Sequence, residues 1–259
     1  MPSLEALGGA IDRARQTLRR LEALGAIAIP LGDSAYPKTL GSISEPPPVL
    51  FVRGTAHLGD PGIAIVGTRN PTPYGAACSR RLAMAAAREG LTVVSGLASG
   101  CDSAAHVGAV EAGGVTVAVL AHGLDRVYPR ENESLAERIL DAGGALVSEY
   151  VPGKAPTRAS FVERDRIQSG LAQGVIVVET GPVGGTMHTV SAAETQRRAL
   201  AVVAPCGGEP TYEHGAQKLI ARGAVVLAES GDFAAFLAAL PSGDDDDGCA
   251  PVGQLRLFA

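Results

Sequence analysis

From residue 62 onward, short apolar runs alternate repeatedly with longer helix-forming stretches, and this alternation constrains the fold more than any other feature. The apolar runs fall at 63–67, 92–95, 115–120, 145–148, 174–179, 199–204 and 224–227. Helical patterning occupies 73–89, 102–112, 132–142, 161–172, 186–198, 214–222 and 231–239. Strands separated by helices at this spacing predict a doubly wound, mainly parallel sheet of Rossmann type. Ligands are then expected at the C-terminal ends of the strands.

Ahead of this region, residues 3–24 read as an amphipathic helix, with Leu4, Ile11, Ala14, Leu18, Leu21 and Leu24 at helical spacing. Ile27 to Pro30, Tyr36–Pro37 and the rigid Pro46–Pro48 follow. We therefore expect a small N-terminal helical lobe and linker at 1–50, an α/β domain at 51–240, and an acidic tail at 241–259.

Composition narrows the function. A chain of 259 residues holds one large α/β domain with small appendages. Its net charge of −5 argues against non-specific coating of duplex DNA. The 22 Lys and Arg can still line a local groove, particularly as residues 244–247 place four aspartates in the tail. Cys78, Cys101, Cys206 and Cys249 show neither CxxC spacing nor His partners at ligand intervals, so no metal site, cofactor or disulfide framework is expected. No apolar run reaches membrane-spanning length and no signal-peptide layout is present, so a cytoplasmic location is expected.

The strand ends carry unusual residues. Gly67, Thr68 and Arg69 follow the first strand, and Ser95, Gly96, Ser99 and Gly100 follow the second, before a helix opened by Asp102. Glycines there could let backbone N–H groups approach a phosphate, or could simply permit a tight turn capped by Asp102. After the fifth strand, Gly184, Gly185 and Thr186 lead into a helix as a further candidate phosphate nest. Neither the dinucleotide fingerprint nor a P-loop is present. His106 and His188 stand in no defensible Ser/His/Asp order, and no catalytic residue is assigned. Phe161, Arg164 and Arg166 place one ring and two guanidinium groups within about a turn and a half of helix. A ring stacks on a base and guanidinium neutralises phosphate, so this looks like a grip on a single nucleic-acid strand.

These residues resemble the DNA-processing protein A family (DprA, also called Smf), in a short form without the C-terminal winged-helix domain of many members. The matching stretches are Tyr36–Pro37 with Pro46–Gly54, Ile65–Arg69 with Pro73–Gly75, and Val94–His106. They continue through Gly123–Asn132, Ser148–Gly153, Phe161–Ile167 and Gly215–Ala224. The resemblance implies an extended Rossmann-like fold, usually dimeric, that binds and protects single-stranded DNA and hands it to RecA recombinase during natural transformation. Carried onto this chain, the DNA site would comprise Gly67, Thr68, Arg69, the 95–100 loop, Arg158, Phe161, Arg164 and Arg166. Two positions depart from the family pattern. Asp165 replaces the usual Asn, and Gly184–Thr189 shifts the loop toward the related nucleotide-cleaving phosphoribohydrolases (the LOG enzymes), where Glu179 and Glu194 could assist N-glycosidic cleavage.

The tail ends in Gln254, Leu255, Arg256, Leu257 and Phe258, which resembles the pentapeptide that docks bacterial proteins on the DNA polymerase sliding clamp. Gln254 would hydrogen-bond in one subsite while Leu255, Leu257 and Phe258 supply apolar contacts. The same peptide could instead pack back on its own domain. A mobile-element or defence factor recruited through this tail is a further reading.

Overall fold

The computed structural model describes residues 4–206 and 209–241. The tail positions Gln254, Leu255, Leu257 and Phe258 lie outside the described residues. The N-terminal segment forms α1 (Leu4–Ala23), β1 (Ala26–Pro30), the short α2 (Lys38–Gly41) and β2 (Val49–Gly54). The alternating region then forms β3 (Gly62–Val66), α3 (Pro73–Arg88), β4 (Thr92–Ser95), α4 (Cys101–Glu111) and β5 (Thr116–Leu120). It continues with α5 (Glu133–Asp141), β6 (Ala145–Ser148), α6 (Arg158–Gly170), β7 (Gly174–Val177) and α7 (Gly185–Thr195). Last come β8 (Ala199–Val203), α8 (Pro210–Ala221), β9 (Val225–Leu227) and α9 (Ser230–Ala238).

All these strands join one nine-stranded sheet in the order β1-β2-β6-β5-β4-β3-β7-β8-β9. The seven strands from β3 to β9 pair in parallel, as the alternation predicts. The N-terminal segment departs from the expected helical lobe. β2 pairs antiparallel with β6, and β1 pairs antiparallel with β2, so the sheet runs through the boundary expected at residue 50. The amphipathic helix α1 is held mainly at its end. Leu21 is fully buried and Arg20 Nη1 donates to Pro152 O, whereas Leu7, Ile11 and Leu18 stay exposed.

Side chains alternate across the sheet and fill a layer on each face. Ile63 and Ile65 of β3 pack with Cys78, Ala83, Ala105, Phe233 and Phe236 of α3, α4 and α9. Ala64 and Val66 pack on the other face with Leu40, Ile167, Val190 and Leu219, from α2, α6, α7 and α8. β4, β5 and β6 lie to one side of β3, and β7, β8 and β9 to the other. The connections after β3 and β7 therefore leave neighbouring strands toward opposite faces of the sheet. A crevice must open between them, the place where a doubly wound sheet takes its ligand.

Candidate nucleic-acid interface

At that crevice lies an open cleft of about 1150 Å³. Its walls come from distant parts of the chain: Gly67, Thr68 and Arg69 after β3, Tyr128 before α5, the first turns of α6, residues 180–186 after β7, and Lys218 and Arg222 at the end of α8. The cations Arg69, Arg158, Arg164, Lys218 and Arg222 outnumber the acids Asp102 and Asp165 along this lining. The cleft is therefore basic, although the chain as a whole is acidic.

Helix α6 is aimed by its start. Thr157 accepts from Ser160 N (3.1 Å) while Ser160 Oγ accepts from Thr157 N (2.8 Å), a reciprocal cap. The helix consequently begins three residues before the predicted Phe161, and Arg158 sits in its first turn. Residues 158, 161, 165 and 168 recur at helical spacing along the cleft face. Arg69 reaches across from the β3 end, its guanidinium carbon 5.0 Å from the centre of the Phe161 ring, within cation–π range. Tyr128 meets the same ring at 5.7 Å, tilted by 54°.

The loop that carries Arg69 is clamped on both sides. Tyr212 Oη of α8 donates to Asn70 O (2.7 Å) and lies 3.3 Å from Thr68 Oγ1. Beneath it, Gly100 adopts a φ of 88° and passes so close that a Cβ there would lie 2.5 Å from Thr68 O. Only glycine fits that approach, which brings the β3 and β4 loops together.

The 95–100 loop does not offer the phosphate nest that its glycines suggested. Asp102 accepts from Gly96 N (3.1 Å) and Ala98 N (3.4 Å), using these N–H groups internally. The Arg164 guanidinium fills the space where a Gly96 side chain would begin, so this glycine accommodates an arginine. Ser95 Oγ donates to Ile65 O (2.7 Å) and Ser99 Oγ to Glu131 (2.8 Å), so neither hydroxyl serves the cleft. The tight-turn reading holds there, but Asp102 is not the helix cap: Gly100 occupies that position without a side-chain bond, and Asp102 reaches back from the first turn of α4 to the loop.

Arg166 also departs from expectation. It lies five residues beyond Phe161, on another side of the helix, and does not line the cleft. Its guanidinium meets Glu149 through two contacts, and Nε donates to Glu45 O (3.0 Å). Arg164 does reach the cleft, but as part of a buried floor. Nη1 donates to Val119 O (2.9 Å), and Nε lies 3.4 Å from Asp165 Oδ1. Hydrogen bonding orients the Gln168 amide with its oxygen toward Gly96 N (2.8 Å) and Arg164 Nη1 (3.2 Å). Burial pushes Asp165 up to about 7, against the pull of Arg164, and raises Asp102 in the same direction.

On the opposite wall, Gly184, Gly185 and Thr186 form the start of α7 and face the cleft. Nothing stands within 4 Å of where a side chain on Gly184 or Gly185 would begin. A helix N-terminus open in this way suits an anion. Lys218 Nζ holds the loop before it by donating to Pro182 O (2.8 Å), and Arg222 pairs with Glu194. The other candidate acid, Glu179, is also engaged: it accepts from Thr72 N (2.8 Å) and Thr72 Oγ1 (2.6 Å) at the start of α3. His106 is buried against Thr116 and driven down to about 3 by that burial, far from the role of a general base, while His188 stands exposed on the cleft wall. Among the cleft residues that sequence reasoning missed are Tyr128, Gln168, Lys218 and Arg222. Tyr128 had a signal, since it stands in the Gly123–Asn132 stretch of the resemblance.

Among the described residues no helix is long and apolar enough to cross a membrane. The sequence profile of the DNA recombination-mediator protein A family matches residues 28–238. Protein Smf of Synechocystis is 38% identical over 81% of this chain, which spans about half (53%) of that relative's length. DNA processing protein A from Streptococcus pneumoniae superposes with a TM-score of 0.78 at 31% identity, covering 89% of this chain and 78% of that one. The protein of the same name from Helicobacter pylori, whose structure was described for its single-stranded DNA binding mode, gives a TM-score of 0.74 at 27% identity. That match covers 83% of this chain and 97% of the other. With the fold, the cleft and these likenesses in agreement, the chain belongs to the DNA recombination-mediator protein A family.

Proposed function

We propose that this chain binds single-stranded DNA in the basic cleft and acts as a DNA-processing protein in recombination, without catalysing a reaction. The observation that carries the reading is the seating of Arg69 over Phe161 in a cleft otherwise lined by Arg158, Arg164 and the open start of α7. Cations spaced along a groove neutralise phosphates, and exposed rings accept bases only when these are unpaired. The Helicobacter pylori relative, described for its single-stranded DNA binding mode, supports the same ligand. Passage of the strand to RecA recombinase and a homodimeric working unit are proposed on the family relationship. Docking of Gln254, Leu255, Leu257 and Phe258 on the sliding clamp is proposed on the sequence, and deleting residues 252–259 should abolish clamp pull-down.

Binding of a nucleotide in the same cleft is the second reading, favoured by Gly184, Gly185 and Thr186 at the start of α7. Cleavage of that nucleotide is a weaker fit, because Glu179 and Glu194 are engaged with Thr72 and Arg222. Fluorescence anisotropy decides between the readings. A labelled oligothymidylate should bind more tightly than a duplex of equal length, with affinity falling steeply as salt rises. Preference for duplex, or release of free base from AMP or NAD that is lost on Glu179→Gln or Glu194→Gln, would overturn the proposal.

A further inference from the structure

One end of the cleft opens onto a second basic surface. Arg158, in the first turn of α6, lines the cleft there, with Pro156 and Thr157 beside it. Lys154 stands four residues earlier, so the two are at most about 14 Å apart along the chain. Two residues before Lys154, Pro152 O accepts from Arg20 Nη1 at the end of α1 (3.2 Å). Arg158, Lys154 and Arg20 therefore follow one another outward from the cleft mouth, and all three are exposed.

The ground between them is fixed. The loops after β5 and β6 are joined where Gly123 N donates to Lys154 O (3.0 Å) and Gly153 N donates to Asp125 Oδ1 (2.7 Å). Acids nearby are already engaged: Asp125 in that bond and with Arg126 (3.2 Å), Glu163 with the Tyr150 hydroxyl, and Glu149 with Arg166. Lys154 Nζ rests 6.0 Å from the centre of the Tyr150 ring. Among the described residues no ion pair engages Arg158, Lys154 or Arg20. In a chain of net charge −5, a row of cations without carboxylate partners, leading away from a basic cleft, suits a polyanion.

We propose that a single strand longer than the cleft runs out over these joined loops, its sugar–phosphate backbone passing from Arg158 to Lys154 and on to Arg20. The inference rests on the single-strand reading and adds where the strand leaves the cleft and what meets it there. Lysine and arginine on this surface meet phosphates, so they add affinity without base preference. Helix α1 precedes residues 28–238, the region that matches the family profile, so the far end of this track is a feature of this chain's own N-terminal segment.

Anisotropy titrations with labelled oligothymidylates of about 5 and about 12 nucleotides, each short enough for one chain, test the track. The wild type should bind the longer oligomer more tightly, with a slope of log affinity against log salt steeper by about 0.7 for each added phosphate contact. Lys154→Gln should weaken the longer oligomer about fivefold and flatten its slope by about 0.7, while binding the shorter one as the wild type does. Arg20→Gln should behave alike, and Arg20→Lys, which restores the charge, should recover the slope. Wild-type affinity of Lys154→Gln for the longer oligomer, or equal loss at both lengths, would overturn the track. Failure of Arg20→Lys to recover the slope would remove Arg20 from it and end the track at Lys154. A wild-type chain that binds neither oligomer would instead overturn the single-strand reading beneath it.

Discussion

Arg166 and Glu149 meet through two contacts, Nη1 to Oε1 at 2.8 Å and Nη2 to Oε2 at 2.6 Å. Both side chains are largely buried, and Arg166 Nε also holds Glu45 O in the segment before β2. This arginine therefore ties α6 to the end of β6 and to the N-terminal segment. Removing one partner leaves the other charge largely buried without its counterion, which costs about 3 kcal/mol at comparable sites. Arg166→Ala should accordingly lower the denaturant midpoint, and Glu149→Gln should do so to a smaller degree. The folded Arg166→Ala protein should keep most of its affinity for single strands. An unchanged midpoint together with lost DNA binding would return Arg166 to the list of phosphate contacts.

Arg69 presents the opposite case. It is exposed, and its guanidinium rests on a ring face at the cleft mouth. Its removal breaks no buried network, so stability should hold. Arg69→Ala should weaken single-strand binding by about 1–3 kcal/mol, the range of a charge-assisted contact. The slope of log affinity against log salt should also fall by about one. Anisotropy titrations over a salt series measure both quantities, and an unaltered slope would show that Arg69 contacts no phosphate.

The contrast between these arginines shows what the sequence could convey. Parallel strands are apolar on both faces, so β3 to β9 were legible as runs, to within one or two residues at most ends. β1 and β2 were not, because the sheet edge leaves Ile27 exposed and prolines interrupt the pattern around it. The start of α6 was hidden because Ser160, and not Glu or Gln, completes its cap. In the site, Arg69 and Phe161 were legible because a strand end and a helix turn are local features. The separation of Arg164 from Arg166 was not, since it depends on which side of α6 Glu149 occupies. Lys218 and Arg222 belong to the cleft only through the placement of α8 beside β8, which local spacing does not encode.

Tyr212 offers a test of positioning without a change of charge. Its hydroxyl joins α8 to the backbone of Asn70 and to Thr68, the two residues that flank Arg69. Tyr212→Phe removes that bond and should cost about 1 kcal/mol of stability, the usual worth of a neutral hydrogen bond. Arg69 keeps its charge but loses a fixed loop. Single-strand affinity should drop a few-fold with the salt slope unchanged, in contrast to Arg69→Ala. Full affinity in Tyr212→Phe would mean that the loop is held adequately by its contacts with Gly100 and Glu179.

Asp165 should make both stability and binding depend on pH. Burial pushes its carboxyl up to about 7, with Asp102 adding to the rise and Arg164 and Arg69 opposing it. An aspartate in the unfolded chain titrates near ~3.9. Between roughly that pH and about 7, the folded chain retains a proton that the unfolded chain has lost, so stability falls as pH rises through this window. Asp102, also raised by burial, contributes with the same sign. Asp165→Asn cannot ionise, so its stability curve should be flatter over this range and should lie above the wild type at ~pH 8. The same ionisation places a negative charge beneath the phosphate path. Single-strand affinity should therefore weaken from ~pH 6 to ~pH 8 in the wild type and change less in Asp165→Asn. Urea midpoints and anisotropy titrations across that range test both expectations, and parallel pH profiles for the two proteins would remove Asp165 from the account.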